Sequence, residues 1–153
     1  FYMFGSTPGC GRGIFFLKQM KHPIEVAAGL VFCEGKLLIT QRPAGGHLPD
    51  LWEFPGGKVE LGETFEECLQ RELFEELGIE VNVCEQVMTI THAYSEKTVE
   101  LWFFLCQLVA GEPQGMEGQA LAWVDQEDLG RHSFPEADAQ LLVKLRQNPG
   151  WWE

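Results

Sequence analysis

The chain has 153 residues, 45% apolar and 12% aromatic, with 23 acidic against 11 basic side chains and a formal net charge of −12. That length and composition indicate one globular domain with a core of its own rather than a disordered chain. The acidity argues against stable binding of polymeric DNA or RNA, whose nonspecific affinity comes from Lys and Arg displacing counterions. A mononucleotide is a different case, because a metal ion rather than the protein can neutralise most of its phosphate charge. No apolar stretch is long enough to cross a membrane. The five cysteines, Cys10, Cys33, Cys68, Cys84 and Cys106, lack C-x-x-C spacing, so neither a zinc site nor a disulfide framework follows and a reducing cytoplasm is expected.

Residues 1–21 open on Phe1 and include Gly-Cys-Gly-Arg-Gly at 9–13, with no strand before it to make a dinucleotide loop. The apolar patch from Ile14 to Met20 is broken by Lys18 and is too short for a signal peptide. These residues are expected to be an upstream extension or an appended tail with Met20 as the natural start, leaving residues 22–153 as the domain. Ile24–Cys33 and Lys36–Gln41 are β-branched apolar runs separated by Glu34-Gly35, a hairpin with a two-residue turn. Pro43–Asp50 reads as a loop, and Trp52–Phe54 as a short strand leading to Gly56-Gly57. Ile79–Val83, Gln86–Tyr94 and Thr98–Val109 read as strands, 110–118 as a loop and Ala120–Val124 as a further strand. A last helix over Glu136–Gln147 has Ala137, Leu141, Leu142 and Leu145 on one face.

Between these lies the most informative run, Gly57 to Ile79. Thr64 and Glu67 form a capping box at a helix start. Phe65, Leu69, Leu73 and Leu77 make an apolar stripe, and Gly78 stands where a left-handed C-terminal cap is wanted. Glu72, Glu75 and Glu76 share one face beside that stripe. Crowded carboxylates repel unless solvated or neutralised, and these border buried surface and follow two glycines that let a backbone carbonyl approach a ligand closely. A hard divalent cation with oxygen ligands satisfies both facts, and Mg²⁺ held by carboxylates and substrate phosphates is the commonest case.

The same run matches G-x5-E-x7-R-E-U-x-E-E-x-G-U at every position, U being aliphatic, and a chance match at one starting point has a probability on the order of 10⁻⁹. It resembles the Nudix box. From about Glu25 to Leu145 the chain is similar to the MutT-type branch of the Nudix hydrolases, through LITQRPAGGHLPDLWEFPGGK, ELWFFL, GEPQGMEGQ and FPEADAQLL. The resemblance implies an α/β/α sandwich, a mixed β-sheet flanked by helices. It also implies hydrolysis of a nucleoside triphosphate to monophosphate and pyrophosphate, with Mg²⁺, or Mn²⁺ as an alternative. The implied metal ligands are the Gly56 carbonyl, Glu72, Glu75, Glu76 and Glu117. Glu72 is the first candidate for general base, with Glu117 and Glu76 as alternatives. Glu63 and Arg71 are expected to orient these groups through a bidentate fork.

Arg42 and Lys58 flank the site as candidate phosphate contacts, with ordinary surface cations as the alternative, and His47 is expected to be a solvated loop residue. Phe54 and Tyr94 are candidates to sandwich the base, or else core aromatics. Asp138 follows F-P-E-A, where the resemblance to 8-oxo-dGTP diphosphatases would place Asn. An ionised Asp offers acceptors only, whereas a protonated Asp restores a donor; alternatively Asp138 favours the positive end of the last helix. Three readings follow: an enzyme sanitising 8-oxo-dGTP in the nucleotide pool in support of DNA repair, a pyrophosphohydrolase for CTP or modified pyrimidine nucleotides, or a noncatalytic nucleotide-binding module. A monomer or homodimer is expected, with no membrane partner.

Overall fold

The computed structural model describes residues 22–42 and 50–153. The expectations for residues 1–21, Cys10 and His47 lie outside the described residues. Seven strands are described: β1 (Ile24–Cys33), β2 (Lys36–Gln41), β3 (Trp52–Glu53), β4 (Gly56–Lys58), β5 (Glu80–Ala93), β6 (Thr98–Ala110) and β7 (Leu121–Val124). Two α-helices accompany them, α1 (Phe65–Leu77) and α2 (Ala139–Gln147). The sheet runs β3-β2-β1-β6-β5, with β4 also paired to β1 and β7 to β2. It is mixed, because β1 and β6 run parallel while the other pairs are antiparallel.

β1 is buried on both faces, and its alternation divides the core in two. Ala27 and Val31 face one cluster with Leu38, Cys68, Leu69, Leu73, Leu77 and Cys106, beneath α1. Ala28 and Leu30 face the other with Ile39, Phe54, Phe103, Leu141, Leu145 and Trp152, beneath α2. The expected α/β/α sandwich is therefore present. Glu34 and Gly35 both have positive φ, 52° and 78°, as a primed hairpin turn requires. The C-terminal Trp152 packs edge-on against Phe32 at 5.2 Å and donates its indole N–H to the Leu145 carbonyl at 3.2 Å.

Two boundaries differ from expectation. The runs Ile79–Val83 and Gln86–Tyr94 are one strand, β5, whose pairing with β6 shifts register between Val83 and Gln86. The polar stretch Cys84-Glu85 that reads as a break in sequence is absorbed there as a bulge. The last helix becomes α-helical only at Ala139, because Glu136–Asp138 form a 3-10 turn behind Pro135. Among the described cysteines all are free; burial pushes the Cys68 and Cys106 thiols up to about 12, so both are packing residues.

Leu73 is fully buried between α1 and β1. Leu73→Ala is expected to lower unfolding stability by about 2–5 kcal/mol through lost burial and the remaining cavity. Urea titration should show a lower midpoint with an unchanged slope.

Candidate active site

The site is built on α1, and its first support is the helix start. The Thr64 hydroxyl accepts from the Glu67 amide at 3.0 Å, while the Glu67 carboxylate accepts from the Thr64 amide at 2.9 Å. At the other end Gly78 adopts φ 71° and its amide donates to the Phe74 carbonyl at 2.9 Å. Leu69, Leu73 and Leu77 are fully buried, and Phe65 packs on Trp102 at 4.7 Å, so the rotation of the helix about its axis is fixed. The acidic face must then lie at the edge of β4.

Arg71 organises that face. Its Nε and Nη2 grip both oxygens of Glu63, at 2.6 and 2.9 Å. Its Nη1 reaches Glu72 Oε1 at 2.7 Å and Glu75 Oε1 at 3.1 Å, and its Nη2 donates to the Lys58 carbonyl at 3.4 Å. The guanidinium beside Glu63 holds that carboxyl down at about 2, and the carboxylates in turn push the Arg71 guanidinium up. Glu63 Oε1 also accepts from the Glu60 amide at 3.0 Å, which locks the loop before the helix. Glu72 Oε2 lies against Gly57, where an added Cβ would overlap the carboxylate; at Gly56 a Cβ would overlap the Ala27 carbonyl. The two glycines thus let β4 lie against both β1 and the Glu72 side chain.

Glu76 is different. Among the described residues its Oε1 is buried with no hydrogen-bond partner, and burial pushes its carboxyl well up, with neighbouring Glu72 and Glu117 adding to the effect. Glu117 itself is exposed, on a loop that docks on the end of α1 through Gln114 N–H to Leu77 O at 3.0 Å and Met116 N–H to Glu76 O at 3.1 Å. Among the described residues no three His, Cys, Asp or Glu side chains already converge in ligand geometry, since Arg71 Nη1 draws on both Glu72 and Glu75. The donor set nevertheless suits a hard divalent cation: all-oxygen, anionic, and containing a buried oxygen that lacks a partner.

A second group of polar residues lies at the end of β2. Arg42 Nε donates to Glu53 Oε1 at 2.8 Å, with both side chains nearly buried. The segment leading to α2 folds over β3, with Trp52 N–H to Ser133 O at 2.8 Å and Phe134 stacked on Phe54 at 5.2 Å, which brings Asp138 into this group. Asp138 is 6% exposed. Burial pushes its carboxyl up to about 6, with Arg42 pulling in the other direction. Burial also raises the Tyr94 phenol, and both Arg42 and Asp138 act on it, so Tyr94 belongs to the same group.

The structure therefore gathers Glu63, Arg71, Glu72, Glu75, Glu76 and Glu117 around α1, and Arg42, Tyr94 and Asp138 around β2. The structure bears on three of the open alternatives. Arg42 is no surface cation but half of a buried ion pair. Lys58 has an exposed side chain, and its backbone carbonyl is the group that braces Arg71. Phe54 is a core residue rather than one wall of an open cleft, because Phe134 covers a face of its ring and Phe103 meets it edge-on at 6.1 Å. Glu53 was not singled out in the sequence, although a carboxylate flanked by Trp52 and Phe54 in a short apolar strand signals a buried charge in need of a cation.

The NUDIX domain family matches residues 27–144. The chain belongs to the Nudix family. It is 42% identical over 126 residues to the 8-oxo-dGTP diphosphatase of Haemophilus influenzae, an alignment covering 82% of this chain and 93% of that one. It is 40% identical over 119 residues to the CTP pyrophosphohydrolase of Escherichia coli, covering 78% and 88%. A solved structure from work on MutT of Aliivibrio salmonicida and Vibrio cholerae superposes with a TM-score of 0.64 at 35% identity, covering 84% of this chain and 98% of that one. The chain is an enzyme, a Nudix hydrolase, and Nudix hydrolases generally need a divalent metal. No described helix is long and apolar enough to cross a membrane.

Outside the Nudix glutamates, Asp138 gives the sharpest stability consequence. Its folded-state value of about 6 lies above the ordinary 3.8. The protonated carboxyl therefore favours the fold fully below about pH 3.8, and that contribution is lost as pH rises through 6. Asp138→Asn removes the cost of the buried charge and is expected to stabilise the protein by about 3 kcal/mol at pH 7.5. The difference between variant and parent should close as pH falls from 6 toward 4, read by denaturant titration at each pH.

Proposed function

We propose that this Nudix hydrolase cleaves a nucleoside triphosphate and water to a nucleoside monophosphate and pyrophosphate with Mg²⁺, with Mn²⁺ as an alternative, and that its substrate is 8-oxo-dGTP. The observation that carries the reaction is Glu76 Oε1, an oxygen buried without a partner beside the Arg71-bound glutamates. A carboxylate cannot sit ionised there unless a cation arrives with the substrate. Gly56 O, Glu72, Glu75, Glu76 and Glu117 are the groups that would hold it. Bound Mg²⁺ supplies neutralisation of the nonbridging phosphate oxygens and a more acidic water.

The chain's own residues do the rest. Glu72 takes the proton of the attacking water, with Glu76 and Glu117 as alternatives. Glu63 acts at one remove: it fixes Arg71, and Arg71 fixes the Glu72 carboxylate, so the base cannot rotate away from the phosphate. Arg42, Tyr94 and Asp138 form the end of the site that reads the base, and Lys58 remains a candidate phosphate contact at the tip of β4. A free nucleotide in the cytoplasm, rather than polymeric nucleic acid, is the substrate of an acidic monomer or homodimer of this kind.

At the base-reading end stands Asp138. With its carboxyl raised to about 6, it gives up its charge far more readily than an ordinary aspartate. The neutral form presents one donor and an acceptor, as an asparagine amide does. Either protonation state can meet a guanine-type edge, and the choice of 8-oxo-dGTP rests on the similarity to the Haemophilus influenzae enzyme. The ionised form accepts only, and suits the N–H groups of a guanine edge or the amino group of cytosine; the second reading, CTP or a modified pyrimidine nucleotide, is supported by the similarity to the Escherichia coli CTP pyrophosphohydrolase. The set of glutamates in the box argues against a noncatalytic module.

Pyrophosphate release with Mg²⁺ over 8-oxo-dGTP, dGTP, CTP, dCTP and a nucleotide sugar tests the assignment. 8-oxo-dGTP is expected to give the highest kcat/KM, and a higher value for CTP would replace the first reading with the second. Glu72→Gln is expected to lower kcat by roughly 10² to 10⁴ with the fold intact. Near-normal turnover in that variant would move the base role to Glu76 or Glu117.

A further inference from the structure

The loop after β6 carries Glu117, far from α1 in sequence, back to the helix through two backbone hydrogen bonds and one side chain. The last carbonyls of a helix have no partner within it. Here Leu77 O accepts from the Gln114 amide at 3.0 Å and Glu76 O from the Met116 amide at 3.1 Å. Glu76 O accepts a second donor, Gln119 Nε2, at 3.4 Å, while Gln119 Oε1 accepts from the Glu117 backbone amide at 2.8 Å. One carboxamide thus connects the backbone of Glu117 to the backbone of Glu76. A primary amide offers a donor and an acceptor from one uncharged group, and that of Gln119 reaches both backbones at once.

The turn between them is built for that contact. The Gly118 amide donates to Gly115 O at 2.9 Å. Gly118 has φ +81°, and a Cβ at Gly115 would overlap the Gln119 carbonyl. The chain therefore doubles back within five residues and presents the Gln119 side chain to the end of α1. The Met116 amide holds the preceding residue to the Glu76 carbonyl, and Gln119 Oε1 is the described acceptor that fixes the Glu117 amide itself, and with it the direction of an exposed side chain.

We propose that Gln119 is a positioning residue that delivers Glu117 to the catalytic glutamates by clasping the Glu117 amide and the Glu76 carbonyl. This deepens the functional reading above and rests on Glu117 acting as a metal ligand or base. Removal of the clasp leaves the glutamates chemically intact and lets Glu117 drift, so metal binding and turnover should fall together.

The test uses the full chain as parent, Gln119→Met, Gln119→Asn, Glu117→Gln and the Glu117→Gln/Gln119→Met double variant. Mn²⁺ affinity without nucleotide is read by electron paramagnetic resonance, and kcat is read from pyrophosphate release against Mg²⁺ concentration. Gln119→Met is expected to weaken Mn²⁺ binding and lower kcat by about tenfold each, the range seen when groups that orient metal ligands are removed. In the Glu117→Gln background the same change should add less than about twofold, because both act through one carboxylate.

A full additional tenfold loss in the double variant, or Gln119→Met within about twofold of the parent in both readouts, would overturn the proposal. A Glu117→Gln variant equal to the parent removes the reading of Glu117, and this proposal with it. A defective Glu117→Gln beside a parent-like Gln119→Met removes the role of Gln119 alone. Where Gln119→Met does not fold, Gln119→Asn decides: it keeps the amide but is one methylene too short to reach both partners. An intermediate loss of about threefold supports the clasp, and parent-like behaviour sinks it.

Discussion

Everything at the acidic face of α1 depends on the grip of Arg71 on Glu63. The guanidinium spends two nitrogens on one carboxylate, at 2.6 and 2.9 Å, and the third points along the helix to Glu72 and Glu75. A planar fork with one edge fixed has its remaining direction fixed as well. Glu63 is itself tied to the Glu60 amide, so the loop between β4 and α1, the helix and the reacting carboxylates form one rigid body. A lysine in place of Arg71 would carry the same charge and lose this property, because an ammonium on a flexible stem cannot hold two directions at once.

The site has two ends with opposite electrostatic designs. Around α1 the carboxylates outnumber the cations, a deficit that the divalent metal of the proposed reaction would fill. Around β2 the charges are paired within the protein, Arg42 with Glu53, and the remaining acid, Asp138, is pushed toward neutrality by burial. In the function proposed above, a metal-bound phosphate would meet the first end and an uncharged base the second.

Much of this was legible in the sequence where the code is local. The capping box, the leucine stripe, the Gly78 cap and the Glu34-Gly35 turn follow from residues within a turn of one another, and all four are found in the structure. The sandwich itself was implied by the resemblance to the Nudix hydrolases, in agreement with the strand and helix runs read along the chain. What escaped depends on partners distant in sequence. Nothing near Arg42 says that Glu53 will bury it, and nothing near Phe54 says that Phe134 will cover its ring. Cys84-Glu85 reads as a break because a bulge cannot be told from a turn without the opposing strand. Gln119 was not singled out, since its bond to Glu76 spans 43 positions.

The parallel pairing of β1 with β6 has a consequence for how the molecule comes into being. Their register runs from Ile24 opposite Val99 to Phe32 opposite Gln107, a separation of about 75 residues held throughout. Contacts of that span form late, because closing the loop costs entropy before any pairing is gained. During synthesis the hairpin β1–β2 and the helix α1 emerge long before β6, so the catalytic glutamates exist for a time on a helix with half of its supporting sheet missing. Competence for catalysis therefore arrives with the second half of the chain, although nearly every residue of the box lies in the first.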